Sequence, residues 1–186
     1  VKPVLTALVP AQVDENGKES VWAVSAIDRP TFWLYVPAYT NAADSPEIPI
    51  EFVLQDEDGN DLYPEPLQFT VTPKPGIIEF SLPTPLETDR QYHWYFLVDC
   101  GGTQPDVVEG WIEWRQPSAD LQRQLLPAGD REKVALYAAN GFWYDALTEL
   151  ARLRTANPKD ETLQADWESL LESIGLGEFA AEAIVR

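Results

Sequence analysis

The chain has 186 residues and a mass of 20.9 kDa, enough for one compact domain or two small ones without disulfide or metal staples. A hydrophobic content of 45% with seven tryptophans excludes a disordered or fibrous chain, while one Cys and one His exclude internal disulfides, Cys-rich metal sites and nucleophile-histidine chemistry not routed through His93. A net charge of −18, from 31 acidic and 13 basic side chains, sets the protein against nucleic acid and anionic lipid, and no apolar run approaches the roughly 20 residues of a membrane span.

Fourteen of the 16 prolines lie at or before position 117. Proline breaks helices but suits strand ends and turns, so the first segment is predicted to be β. Runs at 4–9, 21–26, 31–36, 48–55, 67–71, 77–82, 91–100 and 107–115 recur between turn signals. They predict an antiparallel β-sandwich, with an immunoglobulin-like topology as the leading arrangement. In run 31–36, Phe32, Leu34 and Val36 point one way and Trp33 and Tyr35 the other, so both faces are apolar. The same holds for Tyr92, Trp94, Phe96 and Val98 against His93, Tyr95 and Leu97, and for Ile112 and Trp114 against Trp111. Such strands need a cover on each face, and the helical segment that follows is the expected one.

The composition changes near 116–118. Up to Arg115 there are 19 acidic and 6 basic residues, and beyond it 12 and 7. The expected domains are therefore a sandwich at 1–116 and a helical segment at 117–186, packed as one unit because no Gly/Ser linker separates them. Ser118 or Asp120 caps a short helix through 126, and Gly129-Asp130 opens a second that ends at Asn140-Gly141. A third runs from 143 to 156 and stops before Pro158. Asp160 or Thr162 opens a fourth that ends at Gly175, and a short helix is expected at 178–185.

The stretch from Pro127 to Asp160 resembles a single tetratricopeptide repeat of 34 residues, with Tyr137, Gly141, Ala146, Leu150 and Pro158 at matching positions. It departs from that pattern at Asp130, Lys133, Val134 and Leu153. One repeat cannot bury its own apolar face, so the resemblance implies a capping helix at 160–174 and the β segment as the other wall.

Nearly the whole chain resembles the largely cyanobacterial family catalogued as domain of unknown function 928. The runs that carry this are Leu5-Thr6-Ala7-Leu8-Val9-Pro10, Pro30-Thr31-Phe32-Trp33-Leu34-Tyr35-Val36-Pro37, Glu51-Phe52-Val53-Leu54-Gln55-Asp56, Tyr92-His93-Trp94-Tyr95-Phe96, Val108-Glu109-Gly110-Trp111-Ile112 and the stretch 135–147. The resemblance implies an exported protein, periplasmic or extracellular, whose precursor carries a signal peptide. A chain without any Met fits a mature or trimmed form.

Several residues invite a functional reading. The run Asp56-Glu57-Asp58-Gly59-Asn60-Asp61 suggests calcium, but the Glu offset is wrong for an EF-hand and Pro64 and Pro66 break the required helix, so a hairpin turn is expected. Glu109 and Glu113 beside Trp111 and Trp114 form the best carboxylate pair for glycoside hydrolysis, against a plain pair on one strand face. His93 is expected to be hydrogen-bonded under the docked helices, with a pH-sensitive contact as the alternative. Cys100 reads as a small buried apolar residue.

Within the repeat, groove-lining positions map to Ala128, Arg131, Ala135, Ala138 and Ala139. The alanines are expected to pack against the β segment, with a partner chain as the alternative. Glycan stacking would fall to Trp33, Tyr35 and Trp111 if they are exposed, and exposure of Trp143 bears on the same question.

The expected protein is α+β, an N-terminal antiparallel sandwich with a C-terminal repeat-like helical bundle docked on it. Its expected role is that of a non-catalytic interaction or assembly module of the cell envelope. No cofactor motif is found, and the expected partner is a protein rather than nucleic acid or a membrane interior. A carbohydrate-binding module using exposed aromatics is the main alternative.

Overall fold

The computed structural model describes residues 4–13, 15–16, 19–39, 47–99 and 104–185. Among the described residues nine strands come first: β1 (Thr6–Ala7), β2 (Ala11–Val13), β3 (Glu19–Ser25), β4 (Thr31–Val36), β5 (Ile48–Gln55), β6 (Leu67–Val71), β7 (Gly76–Ser81), β8 (Gln91–Val98) and β9 (Asp106–Trp114). Helices α1 (Ala119–Leu125), α2 (Asp130–Ala139), α3 (Trp143–Ala156) and α4 (Glu161–Glu172) follow, then a 3-10 turn at Gly177–Phe179. Cys100 lies outside the described residues.

The strands form a six-stranded sheet in the order β2-β3-β9-β8-β5-β6 and a three-stranded sheet in the order β1-β4-β7. Strands β8 and β9 pair antiparallel along their length, from Gln91↔Glu113 to Val98↔Asp106. The expectation of a wholly antiparallel arrangement is corrected at one pair: β3 runs parallel to β9, from Trp22↔Trp111 to Ser25↔Trp114. These strands stand near opposite ends of the β segment, so the long connection that a parallel pair needs is available.

Alternation places Ile50, Phe52 and Leu54 of β5 and Tyr92, Trp94 and Phe96 of β8 in the core, facing Phe32, Leu34 and Val36 of β4. Phe32 sits at the centre, with ring centroids 5.3 Å from Phe52, 5.5 Å from Trp94 and 5.4 Å from Tyr144 of α3. Strand β4 is buried at all six positions because its other face is also covered. Trp33 and Tyr35 pack there with Leu147, Leu150, Trp167 and Phe179. The order is therefore six-stranded sheet, three-stranded sheet, helices.

Among the described residues, the helical cover expected over β8 and β9 is not there. Their outer face carries His93, Tyr95, Leu97 and Trp111 half-exposed; among the described residues, helices cover the outer face of this sheet at Val24, which packs with Leu121 and Phe142, while Tyr144 of α3 meets Trp94 from the core side. An apolar face signals that something packs on it; it does not say which sheet the helices choose.

Three indole N–H groups bind the layers together. Trp33 Nε1 donates to Thr148 Oγ1 at 2.9 Å, Trp94 Nε1 to the Tyr144 hydroxyl at 3.1 Å, and Trp143 Nε1 to the Leu8 carbonyl at 2.7 Å. Each joins the β segment to α3, and removing one partner would strand a buried polar group. A calorimetric scan of the intact chain should accordingly show one unfolding transition; two resolved transitions would show that the layers fold independently.

Local capping sets the helix ends. Ser118 Oγ accepts from Leu121 N at the start of α1, Asp160 Oδ1 accepts from Thr162 N and Leu163 N at the start of α4, and Gly141 takes a φ of 80° after α2. The helix expected at 178–185 is corrected. Beyond the 3-10 turn the chain extends along β7, with Ile77 N donating to Ala183 O and Val185 N to Ile77 O, both at 2.8 Å. Tail residues of mixed apolar character satisfy a sheet edge as readily as a helix face.

Candidate functional site

Helix α2 uses three faces for three purposes. Val134 enters the cluster of Leu150, Leu163 and Trp167, while Leu136 and Tyr137 pack beside Phe142 and Leu121. That leaves Arg131, Ala135 and Ala138, at i, i+4 and i+7, on the third face. Helix α4 presents Asp166, Ser169, Leu170 and Ser173 opposite, again at helical spacing. Between them lies a groove of about 620 Å³, with Val134 and Leu150 in its floor. At one end Arg131 grips Asp166 through two hydrogen bonds, the Nη2 to Oδ1 contact at 2.8 Å. The guanidinium holds the Asp166 carboxyl below its ordinary range.

Three of the five groove residues expected from sequence, Arg131, Ala135 and Ala138, therefore come together here. The expectation that the alanines bury against the β segment is corrected: Ala135 and Ala139 are exposed, Ala138 is half-buried in the groove, and Ala139 lies outside it. Only Ala128 is buried. Small side chains signalled close approach of another backbone, but here they keep an open channel wide. The sequence reading passed over Asp166, and no local signal could have supplied it, because its partner is 35 residues away.

The glycan-stacking candidates separate. Trp33 and Tyr35 are buried under the helices, 3% and 4% exposed, so they belong to the architecture, as does the buried Trp143. Trp111 alone remains accessible, on the open face of the six-stranded sheet. Its indole stacks on His93 with centroids 4.3 Å apart and planes 12° from parallel. His93 Nδ1 meets the Tyr95 hydroxyl at 2.7 Å, and its Nε2 lies 3.3 Å from Glu109 Oε2. This corrects the placement of His93 under the helices. Trp22, the cross-strand neighbour of Trp111, was also passed over, because it sits in a run that reads only as a core strand.

A family model described as Domain of Unknown Function (DUF928) matches residues 1–184. The chain belongs to that family. No curated protein matches it. Among solved structures it is similar to the β-glucuronidase of Parabacteroides merdae, at 12% identity over 61% of this chain and 14% of that one, with a TM-score of 0.28. The Bacteroides uniformis β-glucuronidase gives 10% identity over 58% of this chain and 12% of that one, at a TM-score of 0.31. The chain thus spans a small part of those enzymes' length, and likeness at this level says nothing about its chemistry.

The carboxylate candidates of this DUF928 chain are engaged by neighbouring groups. Asp56 Oδ1 accepts from Asp58 N and Asn60 N, both Asp56 oxygens accept from Asn60 Nδ2, and Gly59 has a φ of 80°, so the acidic run is a self-capped turn. Among the described residues no cluster of three or more His, Cys, Asp or Glu is arranged to hold a metal. Glu113 is nearly buried and paired with Arg115 Nη2 at 2.7 Å, while Glu109 turns to His93. Four residues apart on one strand, their Cα atoms are separated by roughly 13 Å. A different acid is unusual: Asp145, in the first turn of α3, is buried, accepts from Ala26 N at 2.7 Å, and is pushed by burial up to about 7.

Proposed function

We propose that this protein is a non-catalytic protein-interaction module, exported to a periplasmic or extracellular setting, that seats its partner in the α2/α4 groove. The observation that carries this reading is the groove itself, a largely apolar channel left open between α2 and α4. In this reading α2 and α3 form a tetratricopeptide-like hairpin, and α4 begins the next turn of the same architecture. The Arg131–Asp166 pair supports it, since their separation of 35 residues is close to the roughly 34-residue repeat period. An immunoglobulin-like sandwich then serves as the wall that a lone repeat lacks.

Chemistry narrows the partner to a basic segment carrying a small apolar anchor. The anchor enters over Val134, Ala138 and Leu150, and the basic flank answers a protein of net charge −18. Ala138→Trp fills the groove from a half-buried position, so stability should change by no more than about 1 kcal/mol. Immobilised wild type and variant are exposed to the same native envelope extract. A species held by wild type and absent from the equally stable variant supports the groove. Identical captures would overturn it.

A further inference from the structure

We infer that the open face of the six-stranded sheet carries a second binding site, for a neutral saccharide, between Trp22 and Trp111. This surface is separate from the helical groove, and the inference does not depend on the reading given to that groove.

The two indoles lie on neighbouring parallel strands at directly paired positions. With Gln12, Ser20 and Gln91 they line a hollow of about 370 Å³. Each indole is braced from behind. Trp22 packs against the Val24, Leu121 and Phe142 cluster, and Trp111 rests on His93, itself fastened by Tyr95 and Glu109. Bracing of this kind fixes the ring orientation before a ligand arrives, which lowers the ordering cost of binding.

The polar groups around the hollow complete the case. Trp33, Trp94 and Trp143 all spend their indole N–H inside the protein. The indoles of Trp22 and Trp111, and the side chains of Gln12, Ser20 and Gln91, make no hydrogen bond among the described residues. The hollow therefore combines two flat apolar surfaces with two carboxamides, a hydroxyl and two N–H donors awaiting partners. A pyranose has the complementary form, with C–H faces to lay on indole and a rim of hydroxyls that both donate and accept.

Charge decides between neutral and anionic sugars. Among the described residues no Lys or Arg lines the hollow, and the protein as a whole carries a net charge of −18. Uronates and phosphorylated ligands would meet repulsion without a compensating cation.

The test is calorimetric titration of the intact protein with cellohexaose, maltohexaose, xylohexaose and mannohexaose, with a galacturonate hexamer as the charge control. At least one neutral hexamer is expected to bind with a Kd below about 1 mM, and Trp22→Ala or Trp111→Ala to weaken it at least about tenfold. Ser20→Arg plugs the hollow from an exposed edge position and should do the same at unchanged melting temperature. It keeps the test decisive if a tryptophan variant folds poorly. No binding by any neutral hexamer at millimolar concentration, binding indifferent to Ser20→Arg, or preference for the galacturonate would overturn the site.

Discussion

Gly110→Ala is expected to destabilise the protein by about 3 kcal/mol, the upper end of the range for overpacked cores. A Cβ at this position would stand 2.4 Å from Cζ2 of Trp94 and 2.9 Å from the Val21 carbonyl oxygen. Neither neighbour can retreat cheaply. The Val21 oxygen is backbone, and Trp94 is fully buried with its N–H on the Tyr144 hydroxyl. Moving that ring would disturb the attachment of α3, so the strain reaches the helical layer from a residue on the far sheet. Gly129→Ala is the control. Nothing lies within 4 Å of its Cβ position, and a change at this N-cap should cost no more than about 1 kcal/mol. Denaturant melts compare the two; equal midpoints would mean that Trp94 is more loosely held than the geometry implies.

Asp145→Asn is expected to make the protein more stable than wild type at pH 8 and to bring little gain at pH 4. Burial raises the Asp145 pKa to about 7, helped by the nearby Glu149 and only partly opposed by the hydrogen bond from Ala26 N. The unfolded value is about 3.9. The folded state thus holds the proton more tightly than the unfolded one. This group's contribution to stability is greatest below about pH 4, declines as pH rises, and levels off above about pH 7. The difference of about 3 units corresponds to roughly 4 kcal/mol as an upper bound. Asn keeps the shape and an oxygen for Ala26 N but cannot ionise. Subtracting the two melting curves at each pH removes the contribution of other groups, such as Asp56 and Asp166, whose pKa values are lowered. A difference that does not change between pH 4 and 8 would refute the assignment.

What was legible in the sequence is what local chemistry decides. Ser118, Gly129, Gly141, Pro158 and Asp160 mark helix ends through capping, φ or missing N–H groups, and the helices begin and end within a residue or two of them. Strands β4, β5 and β6 fall where β-rich runs meet turn signals. Long-range choices were not legible. Strand β2 is exposed at all three residues and so leaves no hydrophobic pattern to read. The parallel β3/β9 pairing joins residues almost 90 positions apart, and periodicity carries no information about which strands meet. At the candidate site, the resemblance to a tetratricopeptide repeat picked out Arg131, Ala135 and Ala138 among its five groove positions. Whether they meet a wall or an opening depends on where the β layers sit.

The extension of residues 183–185 along β7 has a consequence for self-association. An uncovered strand edge offers its unpaired N–H and C=O groups as a template on which copies of a chain can add to one another. Here the protein's own tail occupies that position, with Val185 packed into the space above Gly76. The small sheet, whose central strand β4 is buried on both faces, is thereby denied to an incoming strand at β7. The remaining sheet margins are β1 in the small sheet and β2 and β6 in the larger one, so any aggregation by strand addition is steered away from β7 to these.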